Sequence, residues 1–285
     1  MLARILMILM ATLSFTGTVD AGIWDTVRGV FGSESKLPPP AISVLVVQDQ
    51  PGVMLEVKGK YHVYDPNTKE HISTRLIGKR KFLQALPSGL KWGEEFPGIY
   101  QLQILPEDPN TITVVNGEEY HGSLYIYDVG GNISIVNKVD LEEFLASTLK
   151  NQFDGSMPDE ALAAIAIAAR TNAYFRALHP LNSYWAVDAE RVGYEGITEN
   201  SEPTEIEHAI HASRYMVMSR TGTYEGKLTP FPAQWGSTTG GQSGREPGVF
   251  SRISLYDAEE MARNGNDAAL ILQKSFPGTH IELIY

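Results

Sequence analysis

The feature that most constrains this chain is the run Ala161–Ala169, where six of nine residues are alanine and Leu162, Ile165 and Ile167 are the other three. Small and apolar residues nearly all round a helix leave no polar face for water. Such a helix belongs at the centre of a fold, with neighbours packed closely on its sides. Pro158 suits its first turn, and the pattern carries to about Leu178. Ahead of it, Asp140 and Glu143 have the spacing of a capping box. Leu141, Phe144, Leu145 and Leu149 then share one side of a short helix ending near Lys150. Further helices are expected over about Thr204–Ser213 and Asp257–Lys274, the latter broken near Asn264-Gly265-Asn266.

Before this helical part the period is two. Ile42–Val47, Val53–Val57, Tyr61–Tyr64, Tyr100–Leu105, Thr111–Val115, Ser123–Asp128 and Ile133–Val136 are short, β-branched or aromatic runs. Lys58-Gly59-Lys60, Asp65-Pro66-Asn67, Asn116-Gly117 and Gly130-Gly131 separate them as turn signals. The fold class expected is therefore α+β: an antiparallel β-rich subdomain over 42–136 and a helical subdomain over 137–285. No internal repeat is visible.

The start of the chain reads as an address. Arg4 precedes an apolar run from Ile5 to Phe15, and Val19-Asp20-Ala21 places small residues before a cut at Gly22. Residues 1–21 are thus expected to be a secretory signal peptide, with an uncleaved N-terminal anchor as the alternative. The run is shorter than the roughly 20 residues a membrane-spanning helix needs, and no later segment is expected to span. Residues 22–41, with Pro38-Pro39-Pro40, read as a linker. Export to the periplasm or cell envelope follows. The chain has no cysteine, which removes disulfides, thiolate zinc sites and thiol nucleophiles. A net charge of −11 argues against nucleic acid as a partner.

Candidate chemistry is sparse. The loop Gly236–Gly244 is rich in Gly, Ser and Thr, but it has neither the Lys of a phosphate-binding loop nor the second Gly of a nucleophile elbow. His208 and His211 are three apart on a helix without an evident third metal ligand, and read as surface residues. Lys79-Arg80-Lys81 reads as a solvated turn. The joint Asn151–Pro158 between two helices carries Asn151, Gln152 and Asp154, and a helix junction is a rigid place for a site.

Several motifs in order carry a resemblance. They are Asn116-Gly-Glu-Glu-Tyr-His-Gly-Ser-Leu124, Ile135-Val-Asn-Lys-Val-Asp-Leu-Glu-Glu-Phe-Leu145 and Met157–Ala173 with its Ala-Ala-Arg-Thr. Tyr194-Glu-Gly196 and Ala233-Gln-Trp-Gly-Ser-Thr-Thr-Gly-Gly241 complete the set. Together they resemble the SpoIID/LytB family of stage II sporulation protein D and amidase-enhancer proteins. The resemblance implies a SpoIID-type fold whose helical half forms a glycan cleft. It implies peptidoglycan glycan strands as ligand and a cell-wall amidase as a second partner. It also implies descent from lytic transglycosylases, in which one carboxyl group protonates the glycosidic oxygen and then takes a proton from the muramyl 6-hydroxyl.

The alignment puts Gln152 at the position of the family's acid. Three readings stay open: a glycan-binding scaffold in which Gln152 cannot serve as acid, an enzyme in which Asp154 has taken over, or one using another carboxylate such as Glu142 or Glu195. A non-enzymatic envelope protein that binds another protein is the competing class. By resemblance, Arg170 and Thr171 orient the site or meet the muramyl lactyl carboxylate, Tyr194 stacks on a sugar, and Ser237, Thr238, Gly240 and Gly241 border the ligand; Arg170 reads equally well as a structural ion pair, and the others as packing of the cleft wall. Gly236 stands where the family has His. The cysteine pair that some members use for zinc is missing, so no metal or other cofactor is expected.

Overall fold

The computed structural model describes residues 40–150, 152–153, 157–197, 203–220, 228–236 and 252–285. The expected signal peptide and the linker up to residue 39 lie outside the described residues. So do Asp154, Ser237, Thr238, Gly240 and Gly241.

Among the described residues, twelve strands precede the first helix: β1 (Ala41–Gln50), β2 (Gly52–Lys58), β3 (Tyr61–Tyr64), β4 (His71–Arg75), β5 (Gly78–Leu86), β6 (Gly89–Trp92), β7 (Glu94–Pro97), β8 (Gln101–Pro106), β9 (Ile112–Val115), β10 (Glu118–Tyr120), β11 (Ser123–Val129) and β12 (Asn132–Asp140). Then come α1 (Leu141–Lys150), α2 (Asp159–Leu178), β13 (Val187–Asp188), α3 (Ala189–Val192), α4 (Glu205–Ala212) and β14 (Met216–Arg220). The chain closes with β15 (Gln234–Gly236), β16 (Arg252–Ser254), α5 (Leu255–Arg263), α6 (Ala268–Ser275) and β17 (Thr279–Leu283). The fold is α+β.

The strands form two main sheets, ordered β13-β1-β12-β11-β8-β3-β4 and β10-β9-β2-β5-β6-β7. Pairing within them is antiparallel except where β13 lies parallel to β1. Burial alternates along the strands, as in β2, where Val53, Leu55 and Val57 are buried and Met54 and Glu56 only partly. Val44, Ile104, Ile126 and Ile135 from the first sheet join Leu55, Leu83 and Leu90 from the second in one apolar core.

The central helix is where the alanines put it. α2 packs against α1, α4, α5 and α6 and against β1, β14 and β15. Ala161, Ala164, Ala166 and Ala168 are fully buried. Alanine has no side chain beyond Cβ, so neighbours approach from several directions at once. The break expected near Asn264 separates α5 from α6, and Thr204 caps α4 through a full capping box with Glu207. At α1 only half of the expected box forms. Asp140 Oδ1 accepts the Glu142 amide at 2.8 Å, while the Glu143 carboxylate turns to His121 Nδ1 at 3.4 Å.

Three features depart from the sequence reading. The strand region runs to Asp140, because β12 pairs with β1 from Ala41↔Asp140 onward. The helical half also holds β13 to β17, short strands whose partners lie far away in sequence, as when β14 pairs with β17. Lys79-Arg80-Lys81 is an exposed stretch of strand β5, not a turn.

Candidate functional site

Arg170, read as either a contact to a sugar carboxylate or a structural ion pair, is fully buried in α2. A guanidinium has five N–H donors, and here each has an acceptor. Nε and Nη2 reach the two carboxylate oxygens of Glu142, both at 2.8 Å. Nη2 also donates to the Ile210 carbonyl at 3.0 Å, and Nη1 to Ser213 Oγ at 3.3 Å and the Met216 carbonyl at 3.2 Å. Glu142 in turn accepts the Tyr215 amide at 3.3 Å. One bidentate ion pair therefore ties α1, α2, the end of α4 and the start of β14 together. No face of Arg170 remains for a sugar. The same geometry removes Glu142 from the candidate acids, since both of its oxygens are held inside.

Thr171 is also wholly buried. Its hydroxyl donates to the Ile167 carbonyl at 2.7 Å and accepts the Met218 amide at 2.9 Å. It pins β14 to the central helix and touches no surface. The neighbouring Asn172 Oδ1 is buried with no partner among the described residues.

Tyr194 forms a second knot. Its hydroxyl donates to Asn137 Oδ1 at 2.7 Å, and Asn137 Nδ2 donates to the carbonyls of His121 at 2.8 Å and Ser123 at 3.3 Å. The ring packs beside Phe144 and Tyr120, with centroids 5.6 and 6.1 Å away. Burial pushes the Tyr194 phenol well above its ordinary pKa. Stacking on a sugar, the expected role, is closed to a ring that is 6% exposed. Two glycines make this knot possible. Gly122 has φ +77° and a Cβ there would lie 2.3 Å from the Lys138 carbonyl oxygen; Gly196 has φ +74° and its Cβ would lie 2.2 Å from that of Glu119.

The motifs Tyr-His-Gly-Ser-Leu, Val-Asn, Leu-Glu-Glu, Ala-Ala-Arg-Thr and Tyr-Glu-Gly thus share a structural reason. They build the junction between the first sheet and the helical layer. Asn137 is the part of this framework that no role was assigned to in the sequence; its position inside the Val-Asn motif was the available signal.

The framework presents the end of α1. Gln152 is exposed there, its amide nitrogen Nε2 donating to the Thr148 carbonyl at 2.8 Å. Phe153 and Met157 on either side of the joint are half-buried against the core. Glu195, exposed, follows Tyr194, and its backbone amide donates to Ser147 Oγ of α1 at 3.1 Å. Trp235 in β15 is half-buried, and β15 packs on α2. A cation that the sequence reading missed lies on the paired strand. Arg252 Nη2 is 3.2 Å from where a Cβ on Gly236 would stand. The glycine thus leaves room for a guanidinium beside the start of the Ser/Gly loop. Parallel pairing of β15 with β16, across residues distant in sequence, hid this neighbour.

The residues expected to form one site therefore divide. Arg170 and Thr171 share one interior knot and Tyr194 sits in another, while Gln152 is at the surface beyond them. Asp154 and the Ser237, Thr238, Gly240 and Gly241 positions lie outside the described residues. Among the described residues no helix is long and apolar enough to cross a membrane.

An uncharacterized protein of Chlamydia pneumoniae is 31% identical over 221 residues, 76% of this chain and 79% of that protein. One of Chlamydia muridarum is 31% identical over 204 residues, 71% of this chain and 69% of that protein. An uncharacterized Brachyspira hyodysenteriae protein is 28% identical over 189 residues, 65% of this chain and 49% of that protein. The family model for SpoIID, "Stage II sporulation protein", matches residues 129–219, the span that holds Asn137, Glu142, Gln152, Arg170, Thr171 and Tyr194. The chain belongs to the SpoIID family.

Proposed function

We propose that this chain is an exported, envelope-located protein that binds peptidoglycan glycan strands and does not cleave them. The observation that carries the reading is the exposed Gln152 at the end of α1, on a junction whose buried braces are intact. An amide at that position hydrogen-bonds a glycosidic oxygen but has no proton to give it at neutral pH. Losing a general acid costs about 10²–10⁴-fold in rate, and here one group would serve both proton transfers. Glu142 does not replace it, because Arg170 holds both of its oxygens.

The binding surface in this reading takes in the exposed Gln152, with Trp235 and Arg252 from the paired strands β15 and β16. Trp235 offers an aromatic face to a pyranose ring. Arg252, on the strand paired with that of Trp235, adds positive charge to this surface for an anionic strand. Ser237, Thr238, Gly240 and Gly241 supply hydroxyls and close backbone approach. A cell-wall amidase, which strips stem peptides from the strand, is the natural partner of such a scaffold.

The test is sedimentation of the purified protein with insoluble glycan strands, either stripped of or retaining stem peptides. Binding to stripped strands is expected, weakened by Arg252→Gln and by added salt, since an exposed charge contact is screened within about 8 Å at physiological ionic strength. No binding to either preparation would overturn the reading.

A further inference from the structure

A second surface lies away from this junction and does not depend on the glycan reading. The link between β4 and β5 is Leu76-Ile77, and these two side chains are 74% and 69% exposed. A single exposed aliphatic residue is ordinary. Two adjacent ones at a turn, the most exposed of the large apolar residues among those described, are not. Lys79, Arg80 and Lys81 follow at once, all exposed, and Phe82 ends the run 50% exposed.

The cations are uncompensated within the described fold. None of the three is in an ion pair with a described residue. On β6 and β7 the acids are already taken, Glu94 by Arg75 and Glu95 by Lys91. Arg75 is further held over the rings of Trp92 and Phe96 at 5.8 and 5.9 Å. In a chain of net charge −11 an anionic surface is repelled overall. A local run of three adjacent unpaired cations beside a protruding Leu-Ile pair reverses that sign at one place.

We propose that the β4–β5 link is a membrane-contact tip that docks on an anionic phospholipid bilayer. Leu76 and Ile77 enter the interfacial zone while Lys79, Arg80 and Lys81 meet lipid phosphates. Aliphatic side chains projecting from a turn need no matching pocket, which suits a fluid interface. Apolar insertion plus cation attraction is the pairing that holds peripheral proteins reversibly. Orientation follows: the end of the strands that carries the β4–β5 link faces lipid.

The chain lacks cysteine, so Ile77→Cys provides a single labelling point for an environment-sensitive NBD fluorophore on the full chain. Gln273→Cys on α6, exposed as well, is the control. With vesicles of equimolar phosphatidylglycerol and phosphatidylcholine, emission at 77 is expected to shift blue and rise at least twofold, and emission at 273 to stay unchanged. Pure phosphatidylcholine is expected to give no response at either position. Adding Lys79→Gln, Arg80→Gln and Lys81→Gln is expected to weaken vesicle partitioning of the 77 label roughly a hundredfold, given about fivefold per basic residue. Attachment through any other part of the chain leaves the 77 label silent. A silent 77 label, an equal response at 273, or a response untouched by the triple change would each overturn the proposal, and would leave the exposed tip to a protein partner.

Discussion

Removing Arg170 tests whether it braces the fold or reads a ligand. In Arg170→Met the guanidinium disappears and the Glu142 carboxylate stays behind, with one-tenth of its side chain exposed and only the Tyr215 amide as donor. The carbonyls of Ile210 and Met216 and the Ser213 hydroxyl each lose a partner as well. Breaking a buried ion pair on one side costs about 3–5 kcal/mol. In a domain of this size each kcal/mol moves the melting temperature by about 2–4 °C, so a drop of roughly 6–20 °C is expected. The double variant Arg170→Met/Glu142→Leu removes both charges and is expected to recover most of that loss, because the unpaired carboxylate is the main cost. Arg170→Lys is expected to recover little, since an ammonium cannot serve two oxygens and three further acceptors in a plane. Thermal unfolding followed by circular dichroism, with glycan sedimentation on the same samples, gives the answer. A melting temperature within a degree or two of the parent, together with lost glycan binding, would refute the reasoning and return Arg170 to the ligand.

Other outcomes follow from the same geometry. Gly196→Ala meets the Glu119 carbonyl oxygen at a positive φ, and is expected to cost about 1–3 kcal/mol in urea unfolding. Tyr194→Phe leaves Asn137 Oδ1 without its donor inside the protein, with an expected cost of about 1–3 kcal/mol. The Glu143 carboxylate beside His121 raises the imidazole above its usual 6.5. Its contribution to stability is therefore full below 6.5 and fades as pH rises through the higher folded value. NMR titration is expected to show that elevated midpoint, and Glu143→Gln to bring it down.

The helical layer was legible because its signals are local. Six alanines in nine residues specify a crowded helix, and Asn264-Gly265-Asn266 specifies where the last helical stretch breaks. The strands with clean alternation, such as β2 and β3, were legible for the same reason. What escaped were pairings between distant residues: β14 with β17, β15 with β16, and β13 beside β1. Nothing within five residues of Gln234 announces Arg252 as its neighbour. The motif residues were found, but their depth was not. An Arg in an alanine-rich helix reads equally well as a ligand or a brace until Glu142 is seen to occupy it. Tyr194 carries an aromatic ring suited to sugars, and only the Asn137 contact shows that the ring faces inward.

The central claim is that Gln152 leaves a glycan-binding junction without its acid. Products released from amidase-stripped glycan strands measure this directly. The parent protein is expected to yield no 1,6-anhydromuramyl ends above background, and Gln152→Glu, which restores a carboxyl group, to yield them. Anhydro products from the parent that persist in Gln152→Ala and vanish in Asp154→Ala would contradict the claim and place the acid at Asp154.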